Sequence, residues 1–196
     1  TRFYLFPIES NDYQQFLQNW FATLKENGGL AAIGMNIGDY MPPYFYILAL
    51  LTYLPFNDLY LIKLVSCAAD FVLAYYVMRA VSLRYPGRPQ GFMAYAVVLF
   101  LPSVVLNSAA WAQCDAMFAA LALWGLALLL KDHPVWGCIL WGLAAATKLQ
   151  AGFLFPLLLV FFMKGRVSIR HLLAGLAAFV LAQAAVSWGM ELMTGA

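Results

Sequence analysis

A small set of polar side chains stands at separated points of an otherwise apolar chain. Its members are Asp12, Asp39, Gln113, Asp115, Lys148 and Gln150. A carboxylate beside an acceptor hydroxyl can remove its proton, and a cation can stabilise a departing phosphate. Acids together with a cation therefore suit group transfer from a phosphate-linked donor, if the fold brings them to one place.

Most of these residues also have a purely structural explanation. Asp12 falls in the first turn of an expected helix, where a carboxylate complements the helix dipole. Asp39 stands just before two prolines, which favour the first turn of a helix. Lys148 can extend from an apolar segment to the membrane surface. Gln113 and Asp115 favour a functional reading more, because polar side chains cost free energy in hydrocarbon and usually mark a cavity or site.

The composition is that of an integral membrane protein. Of the 196 residues, 64% are hydrophobic and only 10% are charged, whereas soluble domains carry about 25% charged residues. The net charge of +2 and the lack of a Lys/Arg run argue against a nucleic-acid partner. The three cysteines lie in apolar stretches without a CxxC pair, so their spacing predicts neither disulfides nor a zinc site.

Apolar segments of membrane-helix length recur along the chain. A spanning helix needs about 20 apolar residues. We therefore expect an all-α polytopic bundle with about six spans, at 59–79, 91–110, 114–130, 135–147, 149–163 and 171–190. Lys and Arg occupy three connecting loops, within 79–88, at 131 and within 164–170. If these loops face the cytoplasm, the polar set lies on the opposite, extracytoplasmic face.

Residues 1–57 form the expected outer segment of a single transmembrane domain, 1–196. Within it, 10–27 has an apolar face of helical spacing, with Ser10 or Asn11 as its cap and Gly28 at its end. The apolar positions are Tyr13, Phe16, Leu17, Trp20, Phe21 and Leu24. Such a helix should lie flat in the membrane interface. Residues 41–55 are apolar but short, which predicts a re-entrant or interfacial segment.

Two charges lie inside an expected span. Asp70 is near the middle of 59–79, and Lys63 stands two turns before it. A structural role, in which each charge is paired within the protein, is favoured. The alternative is a small transporter, which would depend on Asp70 more than on Asp12.

Four motifs resemble the GT-C superfamily of polytopic glycosyltransferases. They are Ser-Asn-Asp-Tyr-Gln-Gln-Phe-Leu-Gln-Asn-Trp (10–20), Gly-Asp-Tyr-Met-Pro-Pro-Tyr (38–44), Trp-Ala-Gln-Cys-Asp-Ala (111–116) and Thr-Lys-Leu-Gln-Ala (147–151). The nearest likeness is to bacterial proteins described as GPI mannosyltransferase II-like. The chain is more distantly similar to the glucosyltransferases that extend the dolichol-linked oligosaccharide. Because such enzymes have roughly ten or more spans, we expect these residues to be part of a longer module.

The resemblance implies an enzyme that transfers a mannose-like hexose, with inversion, from a polyprenyl-phosphate sugar. Asp12 matches the catalytic acidic position near the start of the first outer loop. The positions implied for substrate binding are Asp39, Tyr40, Trp111, Gln113, Asp115, Lys148 and Gln150. Of these, Lys148, aided by Gln150, is expected at the leaving phosphate.

The same resemblance bears on partners and location. The acceptor is a glycan, lipid or protein, membrane lipids surround the chain, and other membrane subunits can join it. A bacterial inner membrane is expected, with the site facing the periplasm or the outside. The sequence assigns no cofactor, and the lipid-linked sugar donor is expected as a substrate. A divalent metal is possible because carboxylates bind such ions, although no DxD pair is present. The alternative function is a non-catalytic membrane subunit or pseudo-enzyme that binds lipid or partner proteins.

Overall fold

The structure is a computed structural model that describes residues 2–194, with side chains as far as residue 184. The end of the expected span 171–190 therefore lies outside the residues whose side chains are described. The α-helices are α1 (Gln18–Glu26), α2 (Pro42–Leu51), α3 (Asp58–Arg84), α4 (Gln90–Phe100), α5 (Pro102–Val105), α6 (Asp115–Leu130), α7 (Pro134–Thr147), α8 (Phe155–Met163) and α9 (Ile169–Thr194). Shorter turns are 3-10 helical at Arg2–Leu5, Gly29–Ala32 and Leu149–Leu154, and π-helical at Tyr13–Leu17 and Leu106–Ala110.

The bundle is a row of closely packed helices. α3 packs against α4 and α6, α6 against α7, and α7 against α9. Glycines set the spacing between α6 and α7: a Cβ on Gly125 would lie 2.9 Å from the carbonyl oxygen of Gly137. Trp141 on α7 then donates an indole hydrogen bond of 2.8 Å to the carbonyl of Ala122 on α6. Small residues at helix crossings let backbones approach closely, as in membrane bundles.

The helix lengths differ from the sequence expectation of about six spans. Within the described residues, α3 alone is long and apolar enough to cross a membrane as one helix. Gln90–Phe100 and Pro102–Ala110 qualify together as one span that is bent by 50°. α6 has 16 residues and so rises only about 24 Å, less than the roughly 30 Å of a hydrocarbon core. The all-helical fold is confirmed, whereas the six spans are not.

The bend after α4 is stabilised by the start of the chain. The helix breaks at Leu101, just before Pro102, where proline lacks the backbone donor that would continue it. Arg2 donates a 2.8 Å hydrogen bond to the carbonyl of Leu99 beside the break. The same guanidinium forms a 2.9 Å ion pair with Asp70 of α3, which also accepts a hydrogen bond from the Ser108 hydroxyl.

Lys63 has partners from the same N-terminal segment. Its side chain is completely buried, and its ammonium donates to the carbonyls of Leu5, Phe6 and Ile8. Because a buried charge is tolerated only when it is paired and hydrogen-bonded, these contacts account for the lysine. Asp70 and Lys63 are thus both satisfied inside the chain, as the structural reading of these charges expects.

The outer helix begins and ends as its sequence predicts. The Ser10 hydroxyl accepts a 3.2 Å hydrogen bond from the backbone N–H of Tyr13, which caps the start. The helix runs through the π-helical turn Tyr13–Leu17 into α1, and Gly28 ends it with φ of +86°. Its buried apolar residues, which pack against α2 and α3, are Tyr13, Leu17, Phe21 and Leu24. Most of the face expected to meet lipid is therefore covered by the chain itself, while Phe16 remains 47% exposed.

α2 covers the segment expected to be re-entrant or interfacial. Its 10 residues rise about 15 Å, which is about half of a hydrocarbon core. Two prolines open the helix, where their missing donors leave no hydrogen bond unmade. α2 packs against α1, α3, α7 and α9, and so it anchors the outer segment to one end of the bundle.

Candidate active site

A cavity of 660 Å³ lies at the end of the bundle where α2 anchors the outer segment. It is enclosed by the outer segment, the start of α6 and the end of α7. Four separate parts of the chain line it, within 12–20, 38–44, 112–114 and 148–150. Among its lining residues are six of the eight predicted site residues: Asp12, Asp39, Tyr40, Gln113, Lys148 and Gln150. Small-molecule pockets measure roughly 300–1,000 Å³, so the volume suits a substrate such as a sugar.

Asp12 is held in place by residues about a hundred positions away. The side-chain amide of Gln113 donates a hydrogen bond to Oδ2 of Asp12. Beside it, the Ser10 hydroxyl donates a 3.1 Å hydrogen bond to the carbonyl of Trp111. Within the described part of the chain, no hydrogen bond reaches the other carboxylate oxygen of Asp12. The arrangement fixes the carboxylate and leaves one oxygen available to an incoming hydroxyl.

Lys148 brings a cation into the same cavity. α7 ends at Thr147, and Lys148 follows in an extended conformation. Its ammonium forms an ion pair with Oδ1 of Asp115, whose Oδ2 accepts a 3.0 Å hydrogen bond from Asn107. The ammonium also lies 5.9 Å from the centre of the Tyr40 ring, within the range of a cation–π contact. The position of the cation is thus set by an acid on one side and an aromatic face on another.

Tyr40 and Cys114 form a protonated pair in the cavity wall. The phenol oxygen and the thiol sulfur are 3.0 Å apart. Burial, and then the adjacent thiol, raise the pKa of the Tyr40 phenol far above its ordinary range. Burial also raises the pKa of the Cys114 thiol. Both groups therefore stay neutral near pH 7, so Tyr40 can act as a hydrogen-bond donor but not as a base, and Cys114 lacks the thiolate that a nucleophile needs.

Gly38 shapes another wall of the cavity. A Cβ at this position would meet Cε2 of Trp20 at 2.6 Å, so the indole packs directly on the glycine backbone. The Trp20 ring lies 5.6 Å from the Tyr40 ring, centre to centre. Neither Gly38 nor Trp20 was predicted to line the site, although both stand in the four motifs; Trp20 was predicted only for the apolar face of the outer helix. The available signal was a glycine directly before Asp39, in a segment with no other need for one.

Two predicted residues do not line the cavity. The resemblance implied Trp111 for substrate binding, but its side chain is 52% exposed and does not line the cavity. Ala112 accounts for this placement, since its φ of +60° turns the chain between Trp111 and Gln113. Trp111 contributes its carbonyl to Ser10 instead. Asp115 reaches the cavity indirectly, as the partner of Lys148.

Asp39 is exposed at the cavity wall, on the segment that leads into α2. It lines the same cavity as Asp12, and two carboxylates that bind one divalent ion must share a cavity in this way. Within the described residues, however, no three His, Cys, Asp or Glu side chains come together in a group suited to a metal ion. Metal dependence therefore stays untested by the geometry.

The chain is all-helical, and its cavity brings acids and a cation together. The comparison with known families assigns the class, a GT-C type of membrane-associated glycosyltransferase. Residues 40–192 match the model of glycosyltransferase family 87, and the chain belongs to that family. No curated protein and no solved structure matches the chain. The family assignment confirms the GT-C-type resemblance and the transferase class, but not the narrower likeness to GPI mannosyltransferase II. The matched residues begin after Asp12 and Asp39.

Proposed function

We propose that this protein transfers a mannose-like hexose from a polyprenyl-phosphate sugar to a glycan, lipid or protein acceptor. The observation that carries the proposal is the shared cavity, in which Asp12 near the start of the chain and Lys148 after α7 face the same space. Membership of glycosyltransferase family 87 supports the reaction class. The lipid-linked donor and the mannose preference go beyond that class and rest on the motifs together with the cation.

Asp12 is the general base in this proposal. The acceptor hydroxyl attacks the anomeric carbon from the side opposite the phosphate, and its proton passes to the free carboxylate oxygen of Asp12. A new carbon–oxygen bond forms as the bond from the anomeric carbon to the phosphate oxygen breaks, so the configuration inverts. Gln113 supports this role because its hydrogen bond holds the carboxylate in one orientation.

Lys148 is the electrophilic partner. The polyprenyl phosphate leaves with the electron pair of the broken bond, and an ammonium beside it stabilises the added negative charge. In the free protein Asp115 neutralises this ammonium, so an entering phosphate competes with Asp115 for the same cation. Asp39, Gln150 and the Tyr40 hydroxyl also line the cavity, and we assign them to contacts with sugar or acceptor hydroxyls.

The proposed location follows from the two ends of the bundle. The cavity lies at the end where α3 and α6 begin. The other end carries Arg79 in the last turns of α3, Lys131 directly after α6 and Arg166 between α8 and α9. Basic loops face the cytoplasm in membrane proteins. We therefore propose a bacterial inner membrane, with the cavity facing the periplasm or the outside and the lipid chain of the donor in the bilayer.

The experiment compares two acid-to-amide variants, Asp12→Asn and Glu9→Gln. Glu9 lies three residues before Asp12, is exposed and does not line the cavity. Purified proteins in detergent are incubated with radiolabelled polyprenyl-phosphate mannose and membrane acceptors, and labelled product is counted. Loss of a general base should lower transfer by roughly 10²–10⁴-fold in Asp12→Asn, while Glu9→Gln keeps the activity of the parent.

Two results would contradict the proposal in different ways. Near-normal transfer by Asp12→Asn would refute the assignment of Asp12 as general base and would leave the reaction class unaffected. If the folded parent transfers no sugar from any polyprenyl-phosphate donor, the non-catalytic membrane subunit becomes the better function. If the parent binds the same donors but does not turn them over, the result directly favours the non-catalytic membrane subunit.

A further inference from the structure

A second polar cavity, of 230 Å³, lies at the opposite end of the bundle between α3 and α6. Both helices begin near the candidate active site. At the start of α3 the Tyr13 hydroxyl donates a 2.7 Å hydrogen bond to Asp58, and at the start of α6 Asp115 forms the ion pair with Lys148. The second cavity is lined by residues near their other ends, Tyr75 to Leu83 on α3 and Trp124 to Lys131 at the end of α6. The proposed transfer reaction makes no use of it.

The charge of this cavity is positive. Arg79 and Lys131 both line it, and no acidic side chain is among its lining residues. In the part of the chain whose side chains are described, neither cation has an ion pair or a side-chain hydrogen bond. Asp132, next in sequence to Lys131, is paired with Arg166 at 2.6 Å instead. Two cations from different helices therefore face one small space without a counterion.

Aromatic side chains form the rest of the wall. The rings of Tyr76 and Trp124 stack, with centroids 5.1 Å apart and planes inclined by 14°. Tyr75 meets Tyr76 edge-on at 5.2 Å. Tyr75 and Trp124 remain partly exposed beside the cations. Tyrosine and tryptophan are typical of the depth at which lipid headgroups lie, because their rings are apolar and their polar tips remain hydrated.

We propose that this cavity binds a phosphate group, as carried by the headgroup of an anionic lipid in the cytoplasmic leaflet or by a free phosphate. Arg79 presents the planar donor fork that matches phosphate oxygens, and Lys131 adds a compact second charge. Basic pockets between helices on the cytoplasmic side are a recurrent way to hold anionic lipid headgroups. The volume lies below the roughly 300–1,000 Å³ of pockets for drug-sized ligands, which suits a single headgroup.

The test uses the purified protein and vesicles that contain either phosphatidylglycerol or only phosphatidylcholine. The variant Arg79→Gln/Lys131→Gln removes both cations of the cavity. The matched control, Arg88→Gln/Lys164→Gln, removes the same charge from exposed positions in the α3–α4 and α8–α9 loops, which do not line the cavity. Lipid that stays bound is counted by native mass spectrometry, and unfolding temperatures without lipid verify that both variants fold.

The parent should retain phosphatidylglycerol in preference to phosphatidylcholine. Each cation near the membrane surface contributes about fivefold to binding of an anionic lipid, so the cavity variant should bind about thirtyfold more weakly. The control variant should bind as the parent does. Equal weakening in both variants would overturn the proposal, because it would show a general effect of charge. A parent without preference for phosphatidylglycerol over phosphatidylcholine, and without affinity for inorganic phosphate, would overturn it as well.

Inorganic phosphate distinguishes the two sources of the ligand. If millimolar phosphate raises the unfolding temperature of the parent but not of Arg79→Gln/Lys131→Gln, the cavity takes a free phosphate. If phosphatidylglycerol vesicles raise the unfolding temperature of the parent and inorganic phosphate does not, the ligand is the lipid headgroup. A third variant, Arg79→Lys, keeps the charge and removes the donor fork, and it should weaken binding less than the loss of both cations.

Discussion

Gly175 on α9 is a position where one added methyl group should disturb the packing of the bundle. A Cβ there would lie 2.6 Å from the carbonyl oxygen of Cys138 on α7 and 3.1 Å from its carbonyl carbon. Ordinary carbon-to-oxygen contacts between helices are about 3.3–3.6 Å. In Gly175→Ala the two backbones must therefore separate by about 0.7–1 Å, since a carbonyl in the middle of a helix cannot rotate away.

Two opposing effects determine the size of the change. Alanine is favoured over glycine in a helix interior by about 0.8–1 kcal/mol. Overpacking of a well-packed contact costs about 1–3 kcal/mol. The contact at Gly175 joins two helix backbones, so the upper part of that cost, about 2–3 kcal/mol, applies. The net expectation is then a loss of about 1–2 kcal/mol, which for a chain of this size lowers the unfolding temperature by roughly 2–8 °C. Because α7 leads into Lys148, the shift should also lower transfer activity.

Thermal unfolding in detergent measures this prediction, with Gly152→Ala as the control. Gly152 has no neighbour closer than 4.0 Å to an added Cβ, so its replacement should leave stability unchanged or raise it slightly. The reasoning fails if Gly175→Ala is as stable as the parent or more stable, because helix propensity would then outweigh a contact that the packing forbids. It also fails if both variants lose stability equally.

Two further predictions concern buried polar groups. Lys63→Met should lower the free energy of unfolding by about 3–5 kcal/mol, because three carbonyls lose a buried charged donor. Limited proteolysis within residues 2–9 measures the release of this segment. Resistance to the protease equal to that of the parent would contradict the prediction. Tyr40→Phe should leave the pH profile of transfer unchanged between about pH 5 and 9, since burial raises the pKa of the phenol and keeps it neutral throughout. A fall in transfer activity at alkaline pH that is present in the parent and absent from the variant would refute this. The same raised pKa predicts that the phenol's contribution to stability is present below about pH 10 and is lost above it, where the unfolded chain ionises first.

The outer helix shows what local patterns can predict. Its apolar positions, the Ser10 cap and the end at Gly28 all follow from spacing and residue type, and the structure agrees on each. The surface that its apolar face meets was not predictable in the same way. The pattern reports that a face is apolar, but either lipid or another helix satisfies it.

The candidate site was predictable in composition but not in pairing. Polar residues in apolar company identified the members of the cavity, because such residues require a reason. That Gln113 would meet Asp12, or Lys148 would meet Asp115, depends on helix packing over long sequence distances. The side chain of Trp111 lies outside the cavity for a local reason. Residues that alternate in sequence share a side only in an extended chain, and the left-handed Ala112 interrupts the extended backbone.

Hydropathy did not reveal the break within the expected span 91–110. Residues 91–110 read as one continuous apolar stretch, yet the chain bends by 50° at Leu101 and Pro102. Hydropathy measures transfer from water and carries no information about direction. Pro102 was the available signal, because a proline inside an apolar stretch removes a backbone donor.

The cavity has a consequence for the order in which the protein matures during synthesis. Asp12 leaves the ribosome well before Lys148, and at roughly 5–20 residues per second the interval is about 7–27 s. For the first part of that interval the apolar face of the outer helix lacks α2 and the start of α3, and then the residues at the start of α6, against which it packs. Lys148, by contrast, emerges when Asp115 is already present. The early helix therefore needs protection by the insertion machinery for longer than Lys148 does.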